Sequence, residues 1–289
     1  IWSQVFGYGN DDFDCGTSVQ QTSDGGYIIT GYTTSFGEEY DEDIYLIKTD
    51  ENGEEVWFQI FGGTSYDDQG WSVQQTIDEG YIICGVTESF GNGQEDVYLI
   101  KIDENGEEMW SQTFGGTEED YGVSVQQTSD GGYIICGITE SFGSGEYDVY
   151  LLKTDESGEE MWSQTFGGTE DDYGVSVQQT SDGGYIICGS TESFGNGDED
   201  VYLLMTDENG EEVWYQTFGG TEDDFGWSVQ QTIDEGYIVT GYTYSFGNGM
   251  SDVYLIKTDG NGNISTIELP TPTSKRELIK TTNILGQEN

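Results

Sequence analysis

The chain has 289 residues, of which 57 are Asp or Glu and 7 are Lys or Arg, giving a formal net charge of -50 at pH 7. This charge excludes nucleic acid and anionic membranes as expected partners, because phosphate binding relies on clustered Lys and Arg. The absence of histidine excludes mechanisms that need a histidine base or a histidine-ligated metal. Such an acidic composition suggests disorder, but the 14% content of aromatic residues predicts a folded protein.

A fixed repeat organises the sequence as far as about residue 263. The motif Gln-Gln-Thr begins at Gln20, Gln74, Gln126, Gln178 and Gln230. The chain therefore contains five copies of one unit of about 52 residues, a length typical of propeller blades.

Each unit contains four short apolar runs. In the third unit they span residues 123–128, 133–136, 148–153 and 159–166, and we name them strands A, B, C and D. Segments rich in Gly, Asn and Asp separate the runs and are typical of tight turns. Because no helical periodicity is present, each unit is predicted to form a four-stranded antiparallel sheet. Radial repetition of such sheets gives a β-propeller.

The two ends of the repeat suggest how the ring closes. Residues 1–6 have the sequence of a D strand, whereas Thr266 stands where the fifth unit should have its D-strand Trp. We therefore predict an all-β, five-bladed β-propeller of four-stranded antiparallel blades, closed by the N-terminal strand pairing with the last blade. The alternatives are a piece of a six- or seven-bladed propeller and an open solenoid.

The repeat resembles the propeller repeats of many secreted bacterial and archaeal proteins. The resemblance rests on Asp-Gly-Gly-Tyr-Ile-Ile-x-Gly, on Asp-Val-Tyr-Leu-Ile-Lys-Thr-Asp-x-Asn-Gly, and on the following Trp and Phe-Gly-Gly. The repeat is more distantly similar to Kelch and galactose-oxidase blades. This resemblance implies that strand A lines the central channel and that the D–A and B–C loops share one face.

The last 26 residues differ in composition from the repeats, which predicts a propeller over residues 1–263 and a separate tail over 264–289. The tail holds both prolines and is neutral, with Lys275, Arg276 and Lys280 balanced by three acids. Residues 275–286 resemble the opening strands of the C-terminal sorting domain of type IX secretion substrates, which implies export. The alternative is a linker. No apolar run is long enough to span a bilayer, and we expect a secreted or cell-surface protein.

Aspartates recur at the end of every D–A loop and of every B–C loop. Ca²⁺ takes six to eight oxygen ligands, so these carboxylates are candidate metal ligands, although we expect no required cofactor. The opposing interpretation is that Asp beside Gly bonds loop backbone, and that the acidic face attracts cations diffusely. The candidates are Asp14, Asp68, Asp120, Asp172 and Asp224 in the first set, and Asp43, Asp96, Asp148, Asp200 and Asp252 in the second.

Aromatic residues that break the repeat near the loops are candidate binding platforms. Trp71 and Trp227 replace Val123 and Val175 at the start of strand A. Loop aromatics complete the candidate set: Tyr40, Tyr66 and Tyr244. Near-equivalent sites on five blades suit multivalent binding. We therefore predict a non-catalytic propeller for adhesion or glycan recognition, with glycans or cell-surface components as partners and with binding that could depend on a cation.

Two other functions stay open. The first is an extracellular structural module without a ligand of its own. The second is a glycoside-active enzyme, which we disfavour because the carboxylates recur in near-identical form and none stands out as a single acid in an apolar neighbourhood.

Overall fold

The computed structural model describes residues 1–7, 12–36, 41–64 and 66–264, and these residues form five antiparallel sheets without helices. In chain order, the strands are β1 (Asp14–Gln21), β2 (Tyr27–Thr33), β3 (Asp43–Thr49), β4 (Glu55–Phe61), β5 (Asp68–Gln75), β6 (Tyr81–Thr87), β7 (Asp96–Ile102), β8 (Glu108–Phe114), β9 (Asp120–Gln127), β10 (Tyr133–Thr139), β11 (Asp148–Thr154), β12 (Glu160–Phe166), β13 (Asp172–Gln179), β14 (Tyr185–Thr191), β15 (Asp200–Thr206), β16 (Glu212–Phe218), β17 (Asp224–Gln231), β18 (Tyr237–Thr243) and β19 (Asp252–Thr258). The predicted all-β architecture of four-stranded antiparallel sheets is therefore confirmed.

Each blade is a meander in which strands pair with their neighbours in the sequence. The first four blades have four strands and the fifth has three, β17, β18 and β19. The A–B turn needs a residue with positive φ, and Gly131 supplies it in the third blade with a φ of 91°. Glu79 and Glu235 occupy the same position in the second and fifth blades, with φ values of 68° and 64°.

The hydrophobic core lies between adjacent blades. Leu151 of the third blade and Leu204 of the fourth are fully buried in one such cluster, with Trp162 packed against it. The Trp162 ring meets Tyr185 of the next blade edge-on at 5.9 Å. It also covers the C–D turn of that blade, where a Cβ atom at Gly210 would lie 2.5 Å from the ring. Each D strand therefore seals the junction to the following blade.

The A strands surround a central space that residues of all five blades line. Here the Gln-Gln-Thr motif has a structural role. The backbone N–H of Gln127 donates to Oε1 of Gln74 on the preceding blade at 2.6 Å, and the same bond of 2.6 Å recurs at three other junctions. The side chain of Gln127 in turn accepts a hydrogen bond from the amide of Ile77 at 2.9 Å. The predicted placement of strand A at the channel is observed.

The N-terminal residues contact the first blade as a D strand would. Trp2 meets Tyr27 edge-on at 5.7 Å and covers Gly53. However, residues 1–7 are not paired with β19 in the described part of the chain. Val253 and Leu255 of β19 are 85% and 66% exposed, although their counterparts in the other blades are buried beneath a D strand. Ring closure by the N-terminal strand therefore stays a prediction.

Two further predictions concern the C-terminal tail and segments that could span a membrane. Ile264 forms a bridge to Thr258, and the rest of the predicted tail lies outside the described residues. In the part of the chain that the structure describes, no helix has the length and apolar character needed to cross a bilayer.

Candidate functional site

The D–A and B–C loops meet on one face of the molecule, which we call the mouth face. The amide of Asp120 donates to the carbonyl of Glu95 in the B–C loop of the preceding blade at 2.8 Å. The amide of Glu140 donates to the carbonyl of Glu119 at 2.8 Å. The first bond joins the two loop families across a blade junction and the second joins them within one blade, so both families share one face, as the resemblance implied.

The strand-A aspartates of the mouth face are bound into loop backbone. Asp120 is completely buried, and its Oδ2 accepts hydrogen bonds from the Gly116 amide at 2.7 Å and from the Ser141 hydroxyl at 2.6 Å. The equivalent carboxylates make the same amide bond at 2.8–2.9 Å: Asp68, Asp172 and Asp224. Asp14 of the first blade accepts from the hydroxyl of Thr33 at 2.5 Å.

The strand-C aspartates also bond loop amides. Asp96 accepts from the Asn92 amide and Asp148 from the Ser144 amide, both at 2.6 Å. Their counterparts do the same at 2.5 and 2.7 Å: Asp200 and Asp252. Asp43, which is buried, has a pKa raised to about 6 by burial and by the nearby Asp41 and Asp68.

The two aspartate sets approach each other closely. A Cβ atom at Gly115 would lie 2.0 Å from Oδ1 of Asp96 and 2.6 Å from Oδ2 of Asp120, so only glycine fits between them. Burial and, to a lesser degree, the charge of Asp120 raise the pKa of Asp96. Nevertheless, the described residues contain no group of three or more side chains arranged to hold a metal ion. Calcium binding by these aspartates stays a prediction.

An apolar cavity of about 450 Å³ opens beside the inner strands, and we call it the mouth cavity. Trp71 on β5 and Trp227 on β17 line it, with Tyr121, Tyr173 and Phe225 from the A strands between and beside them. Aliphatic and acidic side chains complete the wall, including Val123, Val175, Ile138, Glu192 and Glu199. Aromatic walls with a few polar groups are characteristic of ligand sites.

Glu199 is the one acid of the cavity wall that is almost fully buried, with 8% of its surface exposed. Its Oε1 has no hydrogen-bond partner. Burial is the main cause that raises the pKa of Glu199 to about 7; a hydrogen bond from Ser190 opposes this rise, and the charges of Glu192, Asp223 and Asp171 add to it. Glu199 is therefore the buried acid of the cavity wall, a distinction that the repeat pattern alone did not indicate.

One substitution in the repeat explains the inward position of Glu199. Glu199 precedes the strand-C Asp, where the other units have Glu42, Glu95, Tyr147 and Ser251. The facing strand-B position is Ser190 in this unit, whereas the other units have Tyr32, Val86, Ile138 and Tyr242. The small Ser190 leaves room for a carboxyl group to turn inward. The change to Ser190 beside a recurring loop Glu was the available signal.

Near the mouth cavity, tyrosine hydroxyl groups donate hydrogen bonds to acidic side chains. The hydroxyl groups of Tyr121 and Tyr147 both donate to Oε2 of Glu119, at 2.8 and 2.6 Å. The hydroxyl of Tyr173 donates to Asp171 at 3.1 Å. Burial and the neighbouring Glu119 raise the pKa of Tyr121, so its hydroxyl remains a donor at all ordinary pH values.

Only some of the predicted aromatic platforms line the mouth cavity. Trp71 and Trp227 line the mouth cavity and are 38% and 54% exposed. Tyr66 and Tyr244 are exposed but do not line it, and Tyr244 packs edge-on against Tyr242. Tyr40 lies outside the described residues.

The described lysines are distant from this face. Lys48, Lys101, Lys153 and Lys257 form ion pairs with aspartates of the A–B turns at 2.9–3.1 Å. The A–B turns lie at the opposite ends of the strands from the D–A and B–C loops. The charge of the mouth face is therefore strongly negative over the described residues.

No protein-family model matches the chain. The regulatory protein FlaEY of Caulobacter vibrioides is 27% identical over 181 residues, which cover 53% of this chain and 19% of that protein. The chain thus spans about a fifth of the length of this curated relative.

Solved structures similar to this chain are β-propellers. Sqt1 from Chaetomium thermophilum has a TM-score of 0.49 and 11% identity, covering 87% of this chain and 60% of that one. The WD40 domain of Neurospora crassa Pan2 has a TM-score of 0.47 and 12% identity, covering 78% and 72%. A thermostable family-43 glycoside hydrolase has a TM-score of 0.43 and 12% identity, covering 84% and 89%.

Proposed function

We propose that the protein is a secreted or cell-surface binding propeller that recognises glycans in the mouth cavity without catalysing a reaction. The observation that supports this proposal is the aromatic lining of the cavity by Trp71, Trp227, Tyr121, Tyr173 and Phe225. Aromatic rings provide rigid apolar surfaces against which the C–H face of a sugar ring packs.

The polar groups of the rim suit the other side of a sugar. Glu192 and Glu199 offer carboxylate oxygens at the wall, and Ser190 offers a hydroxyl. Such a small number of polar groups in an apolar cavity fixes the orientation of a ligand and gives specificity. Secretion is supported by the resemblance of the repeats to exported propellers, and the tail resembles a sorting domain.

A glycan array tests this proposal on the wild-type chain, Trp71→Ala and Trp227→Ala, with and without Ca²⁺. Tyr66→Ala is the matched control, because Tyr66 is an exposed aromatic that does not line the cavity. We expect both Trp variants to lose at least about tenfold in affinity, since anchoring aromatic residues often account for 2 kcal/mol or more of binding. If no glycan binds with or without Ca²⁺, glycan recognition is rejected.

Glycoside hydrolysis is the second candidate function. It is favoured by the raised pKa of Glu199, about 7, which results from burial and suits a general acid, and by a second carboxyl group, Glu192, in the same cavity. Aryl glycosides provide a direct assay. Turnover that disappears in Glu199→Gln would support the enzyme, whereas glycan binding without turnover would support the binding function.

We also propose that residues 1–6 form the fourth strand of the fifth blade. Three contacts support it: Trp2 meets Tyr27, Trp2 covers Gly53, and Gln4 donates to Glu54 at 3.1 Å. The same three contacts recur at the junction of the second and third blades, where Trp110 meets Tyr133 and covers Gly158, and Gln112 bonds Glu159 at 3.4 Å.

A cysteine pair tests the closure. In the fourth blade Leu203 pairs with Gln216, so Leu255 should face Gln4. In a Cys15→Ser background, we expect Gln4→Cys with Leu255→Cys to give a disulfide within one chain on mild oxidation. Gln4→Cys with Val229→Cys, on the inner strand of the same blade, is the control that should stay reduced. Failure of the first pair to oxidise, or disulfides only between chains, would reject intramolecular closure.

A further inference from the structure

We propose that the mouth cavity selects ligands that carry an ammonium group, and that its glycan ligand is an amino sugar with a free amine. This inference rests on the proposed binding function and names its ligand class. It is carried by the unpartnered Oε1 of Glu199 in a cavity walled by aromatic rings.

The first step concerns the buried carboxyl group. Only 8% of the surface of Glu199 is exposed, yet its Oε1 accepts no hydrogen bond. A buried carboxylate without a partner is costly, and an opposite charge or a proton must offset that cost. The described lysines are paired on the opposite face. A bound ammonium group would supply both the charge and the missing N–H donor.

The second step concerns the rings around this carboxyl group. A cation over an aromatic face is attracted by the quadrupole of the ring, and aromatic cages recognise ammonium groups in this way. Trp is the strongest such ring, and the two Trp residues that break the repeat, Trp71 and Trp227, are both in the wall. A neutral sugar gains only apolar contact from these rings, whereas an amino sugar gains that contact and the attraction to its charge.

The third step concerns the field at the mouth face. Glu192, Asp171 and Asp223 lie near Glu199, and their negative charges add to the effect of burial on its pKa. The electrostatic potential at the Glu199 carboxyl group is therefore strongly negative. The chain as a whole carries a formal charge of -50. Such a field raises the local concentration and association rate of cations and repels uronates and sialylated glycans.

The charge requirement is testable with two small probes of the same shape. Choline carries a trimethylammonium group, and 3,3-dimethyl-1-butanol has a neutral tert-butyl group in its place. By calorimetry at pH 8, we expect the wild-type chain to bind choline at least about tenfold more tightly than the alcohol. Equal affinities, or binding of neither probe at 10 mM, would overturn the inference.

Two variants and a pH series show whether Glu199 is responsible. The trimethylammonium group has no N–H and interacts with Glu199 through its charge alone. Glu199→Gln keeps the shape and should bind choline at least about tenfold more weakly, whereas Glu156→Gln, on an exposed turn of the opposite face, removes the same charge and should bind normally. Choline stays charged at every pH, so wild-type affinity should fall between pH 8 and 6. The groups facing Glu199 are Ser190, Glu192, Asp171, Asp223, Tyr173 and Tyr242. An unchanged affinity in Glu199→Gln would overturn the assignment.

A matched pair of glycans separates this inference from the proposed function. The β-1,4-linked tetramer of glucosamine and its N-acetylated counterpart differ in the charge of their nitrogen atoms. At pH 7, we expect the amine form to bind at least about tenfold more tightly. Preference for the acetylated form would overturn the amine inference and leave glycan recognition intact. Choline binding without binding of either tetramer would overturn the amino-sugar ligand and glycan recognition while leaving the ammonium preference.

Discussion

The blade junctions and the mouth cavity use the same residue types in opposite ways. At the junctions, a Trp and an Asp recur from blade to blade, as Trp162 and Asp120 do, and both contribute to packing and to loop hydrogen bonds. At the mouth, Trp227 breaks the repeat, and Glu199 is turned inward beside Ser190, which also breaks it; all three line an apolar cavity. In this protein, residues that repeat hold the blades together, and residues that break the repeat form the candidate binding site.

The largest expected effect is on stability, where a Trp at a blade junction and a Trp at the mouth should differ. Trp162→Ala should lower the free energy of unfolding by about 3 kcal/mol, because it opens the junction that the ring seals over Tyr185. Trp227→Ala should change it by no more than about 1 kcal/mol, since the ring is half exposed. Urea denaturation measures both. Comparable losses in the two variants would remove the distinction between junction and mouth.

A second contrast concerns two buried acids. Asp120→Ala should cost about 2–3 kcal/mol of unfolding free energy, because the Gly116 amide and the Ser141 hydroxyl lose their acceptor. Glu199→Gln should leave the protein equally or more stable at pH 8, because a buried charge with no cation paired to it among the described residues becomes neutral. Urea midpoints at pH 8 report both values. A Glu199→Gln variant less stable than Asp120→Ala would assign Glu199 to the scaffold.

The pH dependence of stability sharpens the same contrast. Burial raises the pKa of Glu199 to about 7 and of Asp43 to about 6. A carboxyl with a raised folded-state pKa takes up its proton earlier in the folded protein, so its contribution is present at low pH and is lost as the pH rises through that pKa. We expect unfolding free energy to increase by about 1–3 kcal/mol from pH 8 to pH 5. In Glu199→Gln, the increase in unfolding free energy between pH 8 and pH 5 should be smaller.

The trend should reverse in stronger acid. Hydrogen bonds from Thr22 and Lys48 lower the pKa of Asp24 to about 2, so its stabilising contribution is lost as the pH falls below about 4. Thermal denaturation between pH 2 and 9 follows the whole curve. A stability that falls steadily from pH 8 to pH 5 would contradict the raised pKa values at the mouth face.

The smallest expected effect concerns cations. Ca²⁺ and NaCl at matched ionic strength should raise Tm by similar amounts, because a charge of -50 repels itself and either salt screens the repulsion. Calorimetry and thermal denaturation are the measurements. A saturable Ca²⁺ heat with fixed stoichiometry, lost in Asp120→Asn, would instead assign the paired aspartates to a metal site.

The repeat made the fold predictable. The recurrence of Gln126 in the motif Gln-Gln-Thr and of Trp162 in strand D predicted blades of four strands, and both residues lie at blade junctions. The candidate site was predictable only in part. Trp71 and Trp227 were found because each visibly breaks the repeat, whereas Glu199 resembled one more loop acid. Its inward orientation depends on Ser190, on the preceding strand, which the pairing of β14 with β15 brings alongside.

A crystal structure of the complex with the β-1,4-linked glucosamine tetramer tests the central claim most directly. The account predicts a sugar ring against Trp71 or Trp227, with its ammonium nitrogen 2.7–3.2 Å, roughly the ordinary hydrogen-bond range, from a carboxylate oxygen of Glu199. Electron density for the tetramer elsewhere on the molecule, with the mouth cavity empty of sugar at a saturating concentration, would contradict it.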